Sequence, residues 1–297
     1  MHWWTLQQLK SAKPEVRARA ARSLGAAKNQ RAVPSLIRRV EDENAQVRMA
    51  AIEALGIIGH PASAGPLVSA LANPVKTVNP PRSCSDSGVE SAHYKALANA
   101  LARVGPPAVS PLLGLLRSNE KEPRRWAAYT LGLLKDSRAV DPLIERLDDS
   151  RSEVRKTAAR ALGEIGDVRA VQALIRTLAN RDWETRRAVA EALGFIGSEG
   201  AVSALAKVAE DQSEPVQIAA VGALGKIGGL PGAASLRLAA TSERKAVREA
   251  AKSALKSIKF SPAGPEPRTA LPAPRPLRPG KPPTSASRIL LPGLWWR

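Results

Sequence analysis

Arginines recur at one fixed place in this chain. Arg17, Arg48, Arg124, Arg155, Arg186 and Arg248 each stand seven residues before a leucine of a regular series. Asp42, Asp149 and Asp211 stand thirteen residues before leucines of the same series, with Asn180 in the equivalent slot and Ser11, Ser118 and Ser242 elsewhere. Tyr94 and Gln217 interrupt the arginine column. A guanidinium is a planar fork of five donors that matches a carboxylate or a set of turn carbonyls. The chemistry of the two columns is therefore ion pairing, repeated once per unit. Its first use is structural, each arginine donating to turn oxygens of its own or the next unit. Residues for turnover are scarce. Only three histidines are present, His2, His60 and His93, and one cysteine, Cys84. No phosphate loop, dinucleotide glycine motif, paired-cysteine motif or nucleophile elbow occurs. Gly225-Lys226-Ile227-Gly228-Gly229 is the end of a repeat rather than a phosphate cradle, and Cys84 near His93 lacks a demonstrated base.

The elements that position these columns come from a repeat. The leucines are Leu24, Leu55, Leu101, Leu131, Leu162, Leu193, Leu224 and Leu255, spaced by 31, 46, 30, 31, 31, 31 and 31 residues. Four of the eight lie in Ala-Leu-Gly-x-Ile-Gly, at Ala54–Gly59, Ala161–Gly166, Ala192–Gly197 and Ala223–Gly228. A fixed period of this size is the mark of a solenoid. Each unit reads as a short helix A, a polar turn and a longer helix B. Arg138–Leu147 is the clearest A, and Pro34, Pro66, Pro111 and Pro142 fall in first turns, where a missing N–H is tolerated. Glu153–Ile165 is the clearest B, with Val154, Ala158, Ala161, Leu162 and Ile165 at helical spacing and Gly166 as its stop. One such pair cannot bury its apolar face, whereas stacked neighbours can. The expected fold is all-α, a right-handed α-solenoid of about eight two-helix repeats over residues 1–260. A loop insertion is expected at 73–90 in the third repeat. Trp3 and Trp4 are expected to cover the open end of the first repeat, and Trp126, in an alanine slot, to pack in the core or between repeats.

Glu153-Val154-Arg155, the Ala-rich helix, Ala161–Gly166 and then Asp167-Val168-Arg169-Ala170 resemble the HEAT-repeat family, in particular its short-repeat branch of phycobilisome-lyase type. The resemblance covers about seven-eighths of the chain. It implies that helix B lines a concave groove. The columns six and two residues before each leucine, and two after, would then face a partner. They read Lys95, Asn99, Arg103; Arg125, Tyr129, Leu133; Lys156, Arg160, Glu164; and Arg187, Glu191, Phe195. A basic row with Tyr129 and Phe195 between suits an acidic peptide or a phosphate backbone; the same residues also read as a solvated helix face. Repeat two differs, with Met49 and Ile57 flanking Glu53. One HEAT-type relative, deoxyhypusine hydroxylase, holds two irons on His-Glu pairs. None of the three histidines here is followed by glutamate, so that site is not expected, and no cofactor is.

Composition supports binding over turnover. The chain has 297 residues, 45 Lys and Arg against 27 Asp and Glu, and a net charge of +18. That favours an acidic protein or peptide, with nucleic acid or an anionic membrane surface as further candidates. The single cysteine fits a reducing, cytoplasmic setting. The first ten residues have no long apolar run, so no signal peptide is expected, and nothing approaches a membrane span. Residues 261–297 hold ten prolines and six cations against Glu266, and end in Leu294-Trp295-Trp296-Arg297. They are expected to form a disordered Pro/Arg-rich tail. The reading is a non-catalytic scaffold for an acidic partner, with a nucleic-acid-binding protein and a bilin-lyase-like maturation subunit as alternatives.

Overall fold

The structure is a computed structural model that describes residues 2–73 and 87–257, apart from the side chains of His2, residues 87–90 and Pro231. The tail 261–297 and the greater part of the insertion lie outside the described residues. Eight helix pairs follow one another: α1 (His2–Gln8) and α2 (Pro14–Ala26), α3 (Val33–Ile37) and α4 (Ala45–Ile58), α5 (Ala64–Ala72) and α6 (Ser87–Val104), α7 (Val109–Leu115) and α8 (Lys121–Leu134). Then come α9 (Val140–Glu145) and α10 (Ser152–Ile165), α11 (Val171–Thr177) and α12 (Trp183–Ile196), α13 (Val202–Val208) and α14 (Glu214–Ile227), α15 (Gly229–Ala239) and α16 (Lys245–Ser257). Among the described residues there is no strand.

Even-numbered helices stack on one another along the array, and each odd helix packs behind its own partner. Leu55, Leu101, Leu131, Leu162, Leu193 and Leu224 are fully buried. So is a second leucine column on the A helices, Leu36, Leu67, Leu112, Leu143, Leu174, Leu205 and Leu236. Each such side chain contributes about 1.5–3 kcal/mol by leaving water. The two columns face each other, which makes the core continuous from repeat to repeat.

The glycine after the leucine sets the distance between stacked helices. A Cβ on Gly163 would lie 2.9 Å from Cα of Ala192 on the next helix, and Gly25, Gly56, Gly132 and Gly194 meet Ala54, Ala100, Ala161 and Ala223 in the same way. Backbones thus touch at each of these seams. The third repeat departs from this rule. Ala102 takes the glycine place and Thr130 the facing alanine place, with the Thr130 hydroxyl turned back to donate to the Trp126 carbonyl at 2.7 Å. Helix ends follow the expected chemistry. Gly166 ends α10 at φ 75°, and Lys135 ends α8 at φ 53° without a glycine.

Two expectations need correction. The insertion loop was placed at 73–90, but α6 already begins at Ser87 and runs 18 residues, about one turn longer than its relatives. One glycine, Gly88, costs a helix only about 1 kcal/mol, and Val89-Glu90-Ser91-Ala92 continues it readily. Trp3 and Trp4 do not cover the first repeat, being 73% and 66% exposed. Leu9, buried, and Leu6, half-buried, close that end instead. They fall on the side of the chain that meets α2, whereas the two indoles point away from the core.

Candidate partner-binding face

The arginine column forms a network along the A–B turns. Arg17 grips Asp42 of the next repeat with two bonds, Nε to Oδ2 at 3.0 Å and Nη2 to Oδ1 at 2.8 Å. Its third nitrogen donates to the carbonyls of Ser11 and Ala12 in its own turn. Arg124 treats Asp149, Ser118 and Asn119 identically, and Arg186 treats Asp211, Asn180 and Arg181 identically. Each arginine therefore satisfies its own turn and ties it to the next. Burial pushes the Asp42, Asp149 and Asp211 carboxyls up. Hydrogen bonds from the arginines and from following backbone N–H groups outweigh it, and all three sit below the ordinary carboxylate value.

At two places donor and acceptor lapse together. Tyr94 replaces the third arginine, and the next acceptor slot holds Ser118; Gln217 replaces the seventh, and the next slot holds Ser242. Asn180 is not the partner of Arg155. Arg155 reaches Asp182 instead, at 3.5 Å, while the Asn180 side chain caps its own turn by accepting from the Asp182 N–H. Arg48 donates to the carbonyls of Asp42 and Glu43, but its buried Nε has no partner among the described residues. Arg248 holds its own turn carbonyls at Ser242 and Glu243. A second set of forks stands at the opposite turns. Asp136 binds Arg138, and Asp167 binds Arg169, each also capping the following 3-10 turn. Arg169 reaches back to the Ser137 carbonyl at 2.9 Å. The Asp-x-Arg spacing in the sequence was the signal for this.

The three helix B columns on α6, α8, α10 and α12 border an open cleft of about 540 Å³. Lys95, Arg125, Tyr129, Arg160 and Phe195 line it, with Trp126, Leu133, Glu164 and Glu191. Arg103, Lys156 and Arg187 do not. Tyr129, Leu133 and Phe195 are exposed apolar surface, Phe195 to 58%. The Lys226 ammonium sits 3.6 Å from the Phe195 ring centre, so this aromatic is already partnered by a cation.

The basic row is unevenly free. Lys156 pairs with Glu184 of the next repeat, Arg187 with Glu191 at 3.0 Å, and Arg125 with Glu122 at 3.3 Å. Lys95, Arg103 and Arg160 have no ion pair among the described residues. Below them Tyr94 and Trp126, both 4% exposed, are stacked, and Tyr129 meets Trp126 edge-on at 5.4 Å. Arg125 lies over Trp126 at 5.2 Å. Trp126 and Tyr129 thus give the cleft an aromatic floor, and Lys95, Arg125 and Arg160 stand in its walls with Glu164 and Glu191.

These features define an α-solenoid built from helix-pair repeats. A family model described as HEAT repeats matches residues 4–79, 87–152, 109–182, 141–215 and 176–256, and the chain belongs to the HEAT-repeat family. A chain in the structure of Kap95p with RanGDP is similar in fold, with a TM-score of 0.59 at 14% identity. The match covers 86% of this chain and 42% of that one. An engineered protein matches at 22% identity over 88% of both chains, with a TM-score of 0.43. The CpcE–CpcF complex of phycocyanin lyase from Nostoc sp. PCC7120 matches at 22% identity over 87% of this chain and 95% of that one, with a TM-score of 0.40. Comparison with the curated proteins found no match.

Proposed function

We propose that the protein is a non-catalytic interaction scaffold that holds an acidic protein or peptide in the concave face of its helix B stack. The observation that carries this reading is the cleft on α6, α8, α10 and α12. Exposed Tyr129, Leu133 and Phe195 line it together with Lys95 and Arg160, cations with no ion pair among the described residues. An apolar anchor settles on the aromatic floor, and a carboxylate beside it meets Lys95 or Arg160. Glu164 is held by Lys135 at 3.4 Å and Glu191 by Arg187, so most charges of the walls are compensated and suit a ligand of mixed rather than uniform charge. This weighs against a phosphate backbone, as do the pairs that neutralise Lys156, Arg187 and Arg125. Family membership supports a scaffold role in general terms, because a stack of repeats presents a long continuous surface.

The test is selection of displayed random peptides on the full chain, followed by anisotropy with the enriched sequences. The expected peptides combine an aromatic or leucine anchor with neighbouring acids. Their affinity falls about a hundredfold in Lys95→Glu/Arg160→Glu, at close to 1.4 kcal/mol per tenfold, with melting unchanged. Undiminished binding by that variant rejects the cleft. Steep, salt-dependent binding of a labelled single-stranded DNA that is lost in the same variant transfers the face to nucleic acid.

A further inference from the structure

The first repeat carries a surface that the groove does not use. From residue 2 to 39 the chain has nine cations and a single acid, Glu15. Arg17 and Arg39 are both held by Asp42. The other seven, Lys10, Lys13, Arg19 and Arg22 among them, are exposed and have no ion pair among the described residues. Beside them on α1 are Trp3 and Trp4, among the most exposed large apolar side chains of the described residues. Two indoles left in water are a cost that packing against α2 would have removed, yet Leu6 and Leu9 take that position.

The uncovered side of α2 explains where the charge sits. Interior B helices place alanines against the preceding helix, such as Ala50 with Ala54 and Ala188 with Ala192. In α2 the same slots hold Arg19 and Ser23, both exposed. Arg19 thus stands on the end face of the stack, Arg22 in the α2 register that Arg160 holds in α10, Lys10 and Lys13 on the α1–α2 turn, and the indoles on α1.

We propose that this end of the solenoid docks on an anionic phospholipid surface, with Trp3 and Trp4 at headgroup depth and the cations against lipid phosphates and carboxylates. Tryptophan favours that depth because its ring is apolar and its N–H stays wet. Each Lys or Arg near an anionic leaflet adds attraction, and two kinds of signal together give stable attachment. A nucleic-acid backbone is a line and is best met by cations strung along a groove. Here cations on α2 and the α1–α2 turn share the first repeat with two adjacent indoles on α1, which project about 100° apart on a helix. That arrangement suits a plane better than a base stack.

The experiment is flotation of the full chain with vesicles of phosphatidylcholine alone and with about 30% phosphatidylserine, read beside tryptophan emission at low and about 0.5 M salt. The expected result is binding to the anionic vesicles only, weakened by salt. Trp3→Ala/Trp4→Ala and Lys10→Glu/Lys13→Glu/Arg19→Glu are each expected to lower it about tenfold or more, with circular dichroism unchanged. Lys95→Glu/Arg160→Glu should leave it intact, which separates this surface from the groove. Vesicle binding that survives both N-terminal variants overturns the proposal, because some other segment then carries it. So does absence of vesicle binding, including the case where single-stranded DNA binds and is lost in Trp3→Ala/Trp4→Ala.

Discussion

Tyr94 lies flat on Trp126, ring centroids 5.2 Å apart and planes 10° apart. Each residue breaks its column: Tyr94 stands where other repeats place the ladder arginine, and Trp126 where they place a small side chain. They meet at the seam that also lacks the glycine-to-alanine contact, having Ala102 and Thr130 instead. Those larger residues hold the backbones of α6 and α8 apart at this seam, and the aromatic pair fills the space. Trp126 of this pair also lines the candidate cleft, so one local exception both fills the core and shapes that cleft.

Trp126→Ala is expected to cost about 3–5 kcal/mol, since the large cavity lies between two helices that cannot collapse together past Thr130. Trp126→Phe should cost less. It keeps a ring for Tyr94 and removes the indole N–H, which is buried without a partner. Denaturant melts of both variants check the order. Equal losses would show that the indole is not the filler of this seam.

The arginine network predicts strong coupling. Arg124→Ala removes both fork bonds from the buried Asp149 carboxylate and leaves it only the Arg151 N–H and the distant Arg146 at 3.8 Å, a loss of about 3 kcal/mol. The double variant with Asp149→Ala should lose clearly less than the two single losses added together. Arg248→Ala, which removes bonds to carbonyls alone, should cost about 1 kcal/mol. Asp149 sits below the ordinary value, near 3.9. Its contribution is therefore complete above about pH 4 and is lost as pH falls through the lower folded value. Asp149→Asn should flatten the acid limb of stability below that point, and an unchanged limb would contradict the assignment.

Much of this could be read from the sequence. The repeat leucines, the helix pairs and the arginine-to-aspartate spacing all follow from period and residue type, because a repeat fold must place one residue type in one environment each time. The exceptions were the hard part. Nothing in the spacing showed that Asp182 would serve Arg155 in place of Asn180, since a two-residue shift within a turn depends on where the turn carbonyls point. The free state of Lys95 and Arg160, against the pairing of Lys156 with Glu184, depends on contacts between residues 28 apart. Trp3 and Trp4 were misplaced because apolar character marks what a residue prefers, not which neighbour arrives first. Here Leu6 and Leu9 fit the α2 surface and left the indoles outside.

Helix glycines give an internal contrast. Gly163→Ala puts a methyl 2.9 Å from the Ala192 Cα, backbone against backbone, and should cost about 1–3 kcal/mol by prising the repeats apart. Gly222 lies in the same kind of helix with nothing within 4 Å of an added Cβ. Gly222→Ala should stabilise by about 0.4–1 kcal/mol by narrowing the unfolded ensemble. Thermal melts in opposite directions check the claim. Loss in both would mean that the seams do not rest on this contact.

His93 links stability to mild acid. Burial pushes its imidazole below the ordinary value, and the nearby positive charge of Arg48 pushes the same way. Its Nε2 is buried with no hydrogen-bond partner among the described residues. The unfolded chain, titrating near pH 6.5, then binds a proton that the folded chain refuses. The contribution of a neutral His93 is complete above about pH 6.5 and is lost as pH falls through the lower folded value. This window lies above that of the aspartates, so the two separate in one titration. Melts from pH 8 to pH 5 should show a gradual loss in the parent protein that His93→Gln reduces, about 1.4 kcal/mol for each unit of depression. A His93 that protonates at or above the ordinary value by NMR would remove the cause, and stability would then be flat across this range.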